Sequence, residues 1–137
     1  MKRPAVIDAN VVLYYLLETH PFVEECQTFW RGVGAVCAPA SWEAEVMNAL
    51  WLAVRAKVLP EEEALSRLRT CAQLGIVSIA VRGLWEGALT RAVLSGHPPY
   101  DVVYVELAFR LMLPLVTFDR ALLKRFPETA IRPRDFA

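Results

Sequence analysis

The sequence predicts an α/β protein whose parallel sheet is covered on both faces by helices. Three observations carry the prediction. Short apolar runs recur along the chain, several of them closed by an acid or a turn residue. Between them lie longer segments with apolar residues at i, i+3, i+4 and i+7, the period of a helix face. The two alternate in order, and strand–helix–strand order with long connections builds parallel sheets whose strands are apolar on both faces. At 137 residues the chain has the length of one domain, taken here as 1–137.

Residues 4–8 (PAVID) read as a buried strand that stops at an acid. Asn10 is a good N-cap for the all-apolar VVLYYLL, expected to be a buried helix over 11–17. Thr19 is expected to cap a second helix, with Pro21 in its first turn and Glu24 and Glu25 where the helix dipole favours acids. Gly32 and Gly34 stop it, and residues 35–38 (AVCA) form a second strand. Residues 40–58 make the clearest helix, with Val46, Ala49, Leu50, Ala53 and Val54 on one stripe. Pro60 suits a first helical position ahead of Glu61, Glu62 and Glu63, and Leu65, Leu68 and Ala72 continue that helix. A third strand is expected over 76–81 and a helix over 83–95. After the rigid His97-Pro98-Pro99 break come a helix over 100–111 and a strand over 114–117. Asp119 then opens a short basic helix, and Ala130-Ile131 make an edge strand.

Composition narrows the function. Fifteen Lys plus Arg balance fifteen Asp plus Glu, and 55% of the chain is apolar. That excludes a basic DNA coater, an acidic solvating tail and a disordered chain. No apolar stretch reaches the ~18 residues of a membrane span. Asp8 comes too early for a signal-peptide core, so the expected compartment is the cytoplasm. Cys26, Cys37 and Cys71 show no metal or disulfide spacing and read as reduced thiols. His20 and His97 stand far apart with no serine motif, which argues against a nucleophilic triad.

The acids are the informative residues. The chain has only four Asp, and Asp8, Asp101 and Asp119 lie in or beside strongly apolar segments. Asp8 and Asp119 follow predicted strands at their carboxyl ends, the rim where open α/β sheets bind ligands. Asp101 opens a helix, and Glu45 lies in the first turns of the helix after the second strand. Each has a bland reading alone: a cap, a dipole charge, a turn residue or a solvated position. Together they strain it, because two carboxylates ~5 Å apart repel by about 3 kcal/mol at an effective dielectric near 20. Four on one rim call for a cation, and the nearest bases in sequence are Arg3 and Arg110. Oxygen ligands without paired Cys or His favour Mg²⁺ or Mn²⁺, ions of phosphate chemistry. Glu43 competes with Glu45 for the rim. Glu45 is chosen because it shares a helix face with Asn48, a polar residue among Val46, Met47, Ala49 and Leu50 that is expected to share its partner.

Four ordered blocks carry a resemblance. VIDANVVLYYLL, HPFVEECQTFW, PASWEAEVMNAL and PPYDVVYVELAFRLMLPLVTFD resemble, in this order, successive segments of the PIN-domain family, and within it the VapC-type toxins of toxin–antitoxin pairs. The resemblance spans about residues 4–131. It implies a three-layer α/β/α sandwich with a central parallel sheet. It implies a Mg²⁺- or Mn²⁺-dependent endoribonuclease, commonly dimeric and silenced by a small antitoxin protein. On this reading Asp8, Glu45, Asp101 and Asp119 are the catalytic, metal-binding acids, and Asn10 and Thr117 match polar helpers around the first and last of them. Ala9 stands where many members carry Thr or Ser. The implied reaction is hydrolysis of RNA by a metal-activated water, leaving 5′-phosphate and 3′-hydroxyl ends, with Asp119 or Asp101 orienting the water.

RNA would be gripped locally, because net charge is zero. Arg120, Lys124, Arg125, Arg132 and Arg134 form the best basic strip, with Tyr100 and His97 placed to stack on a base or to pack in the loop. Trp30, Trp42, Trp51 and Trp85 are either core anchors or surfaces for a homodimer and an antitoxin. Two other phosphate-handling α/β classes fit worse. A receiver domain needs an acceptor Asp after the third strand, and a dehalogenase-type phosphatase needs Asp-x-Asp where this chain has Asp8-Ala9-Asn10. The remaining rival is a catalytically silent PIN fold that only binds RNA or a protein partner.

Overall fold

A computed structural model describes residues 1–136. Five strands form one all-parallel sheet in the order β3-β2-β1-β4-β5. They are β1 (Ala5–Ile7), β2 (Val36–Pro39), β3 (Ile76–Ile79), β4 (Leu115–Val116) and β5 (Ala130–Ile131). Seven helices flank the sheet to make the α/β/α sandwich: α1 (Ala9–Leu16), α2 (Val23–Gly32), α3 (Ser41–Arg55), α4 (Glu61–Ala72), α5 (Trp85–Ser95), α6 (Pro99–Leu111) and α7 (Arg120–Arg125).

Burial explains the order. Ala5, Val6 and Ile7 are buried on both faces, as a central parallel strand requires. Val6 pairs with Cys37 on one side and Leu115 on the other, which fixes β1 in the middle. The chain runs outward from β1 through β2 to β3, then returns to β1's other side as β4. The reversal opens a crevice beyond the carboxyl ends of β1 and β4. Helix α6 closes the middle of the sheet against β1, β2 and β4. Seven consecutive buried residues, Val102 to Ala108, make that possible, and α5 packs on α6 in turn.

Several element ends differ from the sequence reading, each for a local reason. Asp8, not Asn10, caps α1: its extended backbone lets its side chain accept the Ala9 N–H, so the helix starts earlier. Asn10 then lies in the first turn. Thr19 does not cap α2. Its carbonyl accepts the N–H groups of Phe22 and Val23, forming a separate turn, and Phe22 stacks on Tyr14 with ring centroids 4.7 Å apart. Helix α3 ends at Arg55 because Lys57 adopts a left-handed backbone, φ 60°. Pro60 precedes α4 in an extended conformation instead of entering its first turn. Residues 81–83 leave β3 as a 3-10 turn. Left-handed Gly96, φ 72°, closes α5 just before the His97-Pro98-Pro99 break.

The cysteines are free thiols. Burial pushes Cys26 up to about 12 and Cys71 up to about 11, which makes both poor nucleophiles. Among the described residues no helix is long and apolar enough to cross a membrane.

Candidate active site

The crevice beside β1 and β4 is tied together by one short polar network. Thr117 Oγ1, fully buried just past β4, donates to Asp8 Oδ2 at 2.8 Å. The same Thr117 oxygen accepts the Asp119 N–H at 2.9 Å. Asn10 Nδ2 sits 3.4 Å from both Asp8 Oδ2 and Thr117 Oγ1, and Asn10 Oδ1 accepts the Phe118 N–H at 3.2 Å. The sequence places these groups about 107 residues apart. The parallel pairing of β1 with β4 makes them neighbours.

Asp8 is the focus of this network. It is 8% exposed. Burial drives its pKa up to about 7; hydrogen bonds from Thr117 and Ala9 oppose the shift, and the charges of Glu45 and Asp101 add to it. No cation enters that balance. Arg132, Arg67, Arg91 and Arg110 are engaged by other carboxylates, those of Glu25, Glu63 and Glu106.

Glu45 comes from α3. Tyr104, buried at the centre of α6, donates its hydroxyl to Glu45 Oε1 at 3.1 Å. Burial raises the Glu45 pKa, and the charge of Asp101 raises it further against the Tyr104 hydrogen bond. Burial, then the charges of Glu45 and Asp8, push the Tyr104 hydroxyl well above its ordinary value, so it remains a donor. Ser41 Oγ is buried beside this pair. It makes no well-formed hydrogen bond, yet as a neighbouring donor it opposes the upward pKa shift of both groups. Asp101 opens α6 half-buried, with His97 Nε2 at 3.2 Å from its Oδ2.

Thus Asp8, Glu45 and Asp101 lie within electrostatic reach of one another, and Asn10 and Thr117 touch Asp8. Asp119 commits one oxygen to its own helix: its Oδ1 accepts the N–H groups of Ala121 and Leu122 and caps α7. Asn48 is exposed and does not share Glu45's partner. Glu43 faces the other way, accepting Ser78 Oγ at 3.2 Å in a group completed by Trp42 Nε1. Arg120, Lys124 and Arg125 are exposed along α7, while Arg132 is taken up by a two-pronged pair with Glu25. Tyr100 is 83% exposed. His97 is mostly buried, edge-on to Phe126, and so is not presented for stacking on a base. Trp30 and Trp42 pack into the core, whereas Trp51 and Trp85 are exposed.

Sequence reasoning gave no role to Tyr104 and Ser41. The spacing of Tyr104, three residues after Asp101 in an apolar helix, was the available signal. Ser41 offered none.

The donor set suits a hard, oxygen-seeking cation. No group of three or more His, Cys, Asp or Glu among the described residues converges enough to hold an ion by itself. Mg²⁺ does not need such a cage. It is held by one or two carboxylates, with waters and phosphate oxygens completing its shell. A buried carboxylate surrounded by neutral donors and further acids, without a base, fits that demand.

Residues 5–128 match the PIN domain family, and the chain belongs to it. No curated protein matches the sequence. Among solved structures, the chain is similar to a toxin–antitoxin complex from Klebsiella pneumoniae, with TM-score 0.63 and 16% identity over 94% of this chain and 97% of that one. It is also similar to VapBC2 from Rickettsia felis bound to a DNA fragment from their promoter. There the TM-score is 0.65 and the identity 15%, over 94% of this chain and 98% of that one.

Proposed function

We propose that this chain is a Mg²⁺- or Mn²⁺-dependent endoribonuclease and the toxin of a toxin–antitoxin pair, acting in the cytoplasm. The observation that carries the reading is Asp8: a buried carboxylate with raised pKa, held by neutral donors, beside Glu45 and Asp101 and without a base. Asp8, Glu45 and Asp101 would hold the ion, with Asp119 reaching it through release of its cap. When bound, Mg²⁺ or Mn²⁺ lowers the pKa of water and neutralises charge on a scissile phosphate. The chain's own residues do the rest. Thr117 and Asn10 fix the orientation of Asp8. Tyr104 orients Glu45. Exposed Arg120, Lys124 and Arg125 lead RNA phosphates along α7 to the crevice. The similarity to structures described as toxin–antitoxin complexes supports an antitoxin partner. Exposed Trp85, Leu89 and Val93, spaced along one stripe of α5, supply an apolar face for assembly, including a homodimer.

The test is RNA cleavage by the purified protein with Mg²⁺ or Mn²⁺, with and without chelator. Wild type should cleave only with metal, and Asp8→Asn should lose ~10³-fold, about 4 kcal/mol of barrier. Cleavage that survives either chelator or Asp8→Asn contradicts the proposal. The lack of a pre-converged ligand group also favours a second reading, a silent scaffold. Absence of cleavage across a broad RNA set would select it.

A further inference from the structure

His97 stands on the loop between α5 and α6, and that loop is firmly set. Gly96 turns it with a left-handed backbone, and Pro98 and Pro99 restrict it on the other side. The His97 N–H donates to Ser95 Oγ at 3.3 Å. Arg125 of α7 donates from Nε to the Ser95 carbonyl at 3.0 Å. The imidazole side chain is 13% exposed and lies edge-on to Phe126, 6.2 Å between centroids. From there Nε2 reaches Asp101 Oδ2 at 3.2 Å. A carboxylate oxygen only accepts, so the tautomer that satisfies this contact carries its proton on Nε2.

We infer that His97 is a positioning residue for Asp101: it holds Oδ2 through Nε2–H and so presents the other carboxylate oxygen toward the crevice for a divalent cation. The inference rests on the proposed reading of Asp101 as a metal ligand. A carboxylate on the first turn of a helix otherwise swings among its rotamers, and that freedom is lost on binding an ion. A donor that fixes the outer oxygen removes part of this cost, as groups behind metal ligands generally do, with effects of about 10–100-fold in affinity. The same role is played for Glu45 by Tyr104 and for Asp8 by Thr117. Each of the three acids thus meets a side-chain donor from outside its own helix turn or strand, His97, Tyr104 or Thr117.

Calorimetric titration of the metal-free protein with Mn²⁺ tests this with two complementary variants. His97→Phe keeps a ring against Phe126 and removes the donor; His97→Gln keeps a donor and removes the ring. His97→Phe should weaken Mn²⁺ binding roughly tenfold, and His97→Gln should stay within about threefold of wild type. Wild-type affinity in His97→Phe would overturn the inference, and weakening in His97→Gln alone would assign His97 to packing against Phe126. Asp101→Asn separates the two levels. If it weakens binding while His97→Phe does not, only the positioning role falls. If Asp101→Asn binds Mn²⁺ like wild type, the metal-ligand reading falls and the positioning role with it.

Discussion

Two carboxylates are almost equally buried in this molecule, and they are treated in opposite ways. Glu106, in the middle of α6, is 6% exposed; Asp8, at the end of β1, is 8% exposed. Glu106 Oε1 pairs with Arg91 Nη2 at 3.1 Å and Glu106 Oε2 with Arg110 Nε at 2.7 Å, the two arginines arriving from α5 and from one turn further along α6. Arg110 also donates to the Gly83 carbonyl, and Arg91 lies over the Phe109 ring. Gly87 makes room for the group: a Cβ there would come within 2.3 Å of Glu106 Oε2. Asp8 has a threonine hydroxyl, a backbone N–H and an asparagine amide, and the nearby charges are both acids. The fold therefore supplies bases to a buried carboxylate where the purpose is to join two helices. At Asp8 it supplies none, the arrangement that the proposed metal site requires.

The contrast can be broken from either side. The largest effect expected is the ~10³-fold loss of cleavage in Asp8→Asn. Removing that uncompensated charge should at the same time raise the melting temperature of the metal-free protein. Glu106→Gln should do the reverse. It should leave cleavage chemistry intact at low temperature and destabilise by about 2–3 kcal/mol, because two half-buried arginines lose their counter-ion. At roughly 4 °C per kcal/mol for a domain of this size, thermal denaturation would show a fall near 10 °C. Gly87→Ala should give a smaller loss of ~1–2 kcal/mol through displacement of the Glu106 carboxylate.

The pH dependence sharpens the same point with a gentler effect. Unfolded Asp8 titrates near 3.8, and folded Asp8 near 7. Between those values the folded state holds the extra proton, so stability of the metal-free protein falls as pH rises through the window and levels off above it. Glu45, also raised, adds in the same direction. Denaturant melts of wild type at pH 5 and pH 8 should therefore differ more than those of Asp8→Asn. An equal difference in the two proteins would remove Asp8 as its source.

Much of this frame was legible in the sequence because it depends on short-range rules. Apolar runs ending at Asp8 and before Asp119 marked the two strands whose carboxyl ends form the crevice, and helical periodicity located α3, α5 and α6. What stayed open depended on distance. Asp119 was legible as the residue that opens α7, and its Oδ1 caps that helix, but the same residue at the same place serves a cap or an ion. Asn48 shares a helix face with Glu45, but one turn further along α3 that face is solvent. For Glu106 only the Arg110 pairing one turn along α6 is local; its second partner, Arg91, lies fifteen residues away on another helix. That Glu45 and Glu43 take opposite faces of α3 was legible, but the reason for choosing Glu45, a partner shared with Asn48, was not met. What distinguishes them in three dimensions is Tyr104 on one side and Ser78 on the other.

The central claim is that Asp8 lacks a protein cation because a divalent ion takes that place. The most direct measurement is thermal denaturation at pH 7.5 of wild type and Asp8→Asn, each with chelator and with saturating Mn²⁺. Mn²⁺ should raise the wild-type melting temperature by several degrees, as a ligand at ~100 times its dissociation constant stabilises by about 2.7 kcal/mol. Asp8→Asn should melt above wild type in chelator and respond little to the metal. A wild-type protein indifferent to Mn²⁺, or an Asp8→Asn variant stabilised by it to the same extent, would contradict the account.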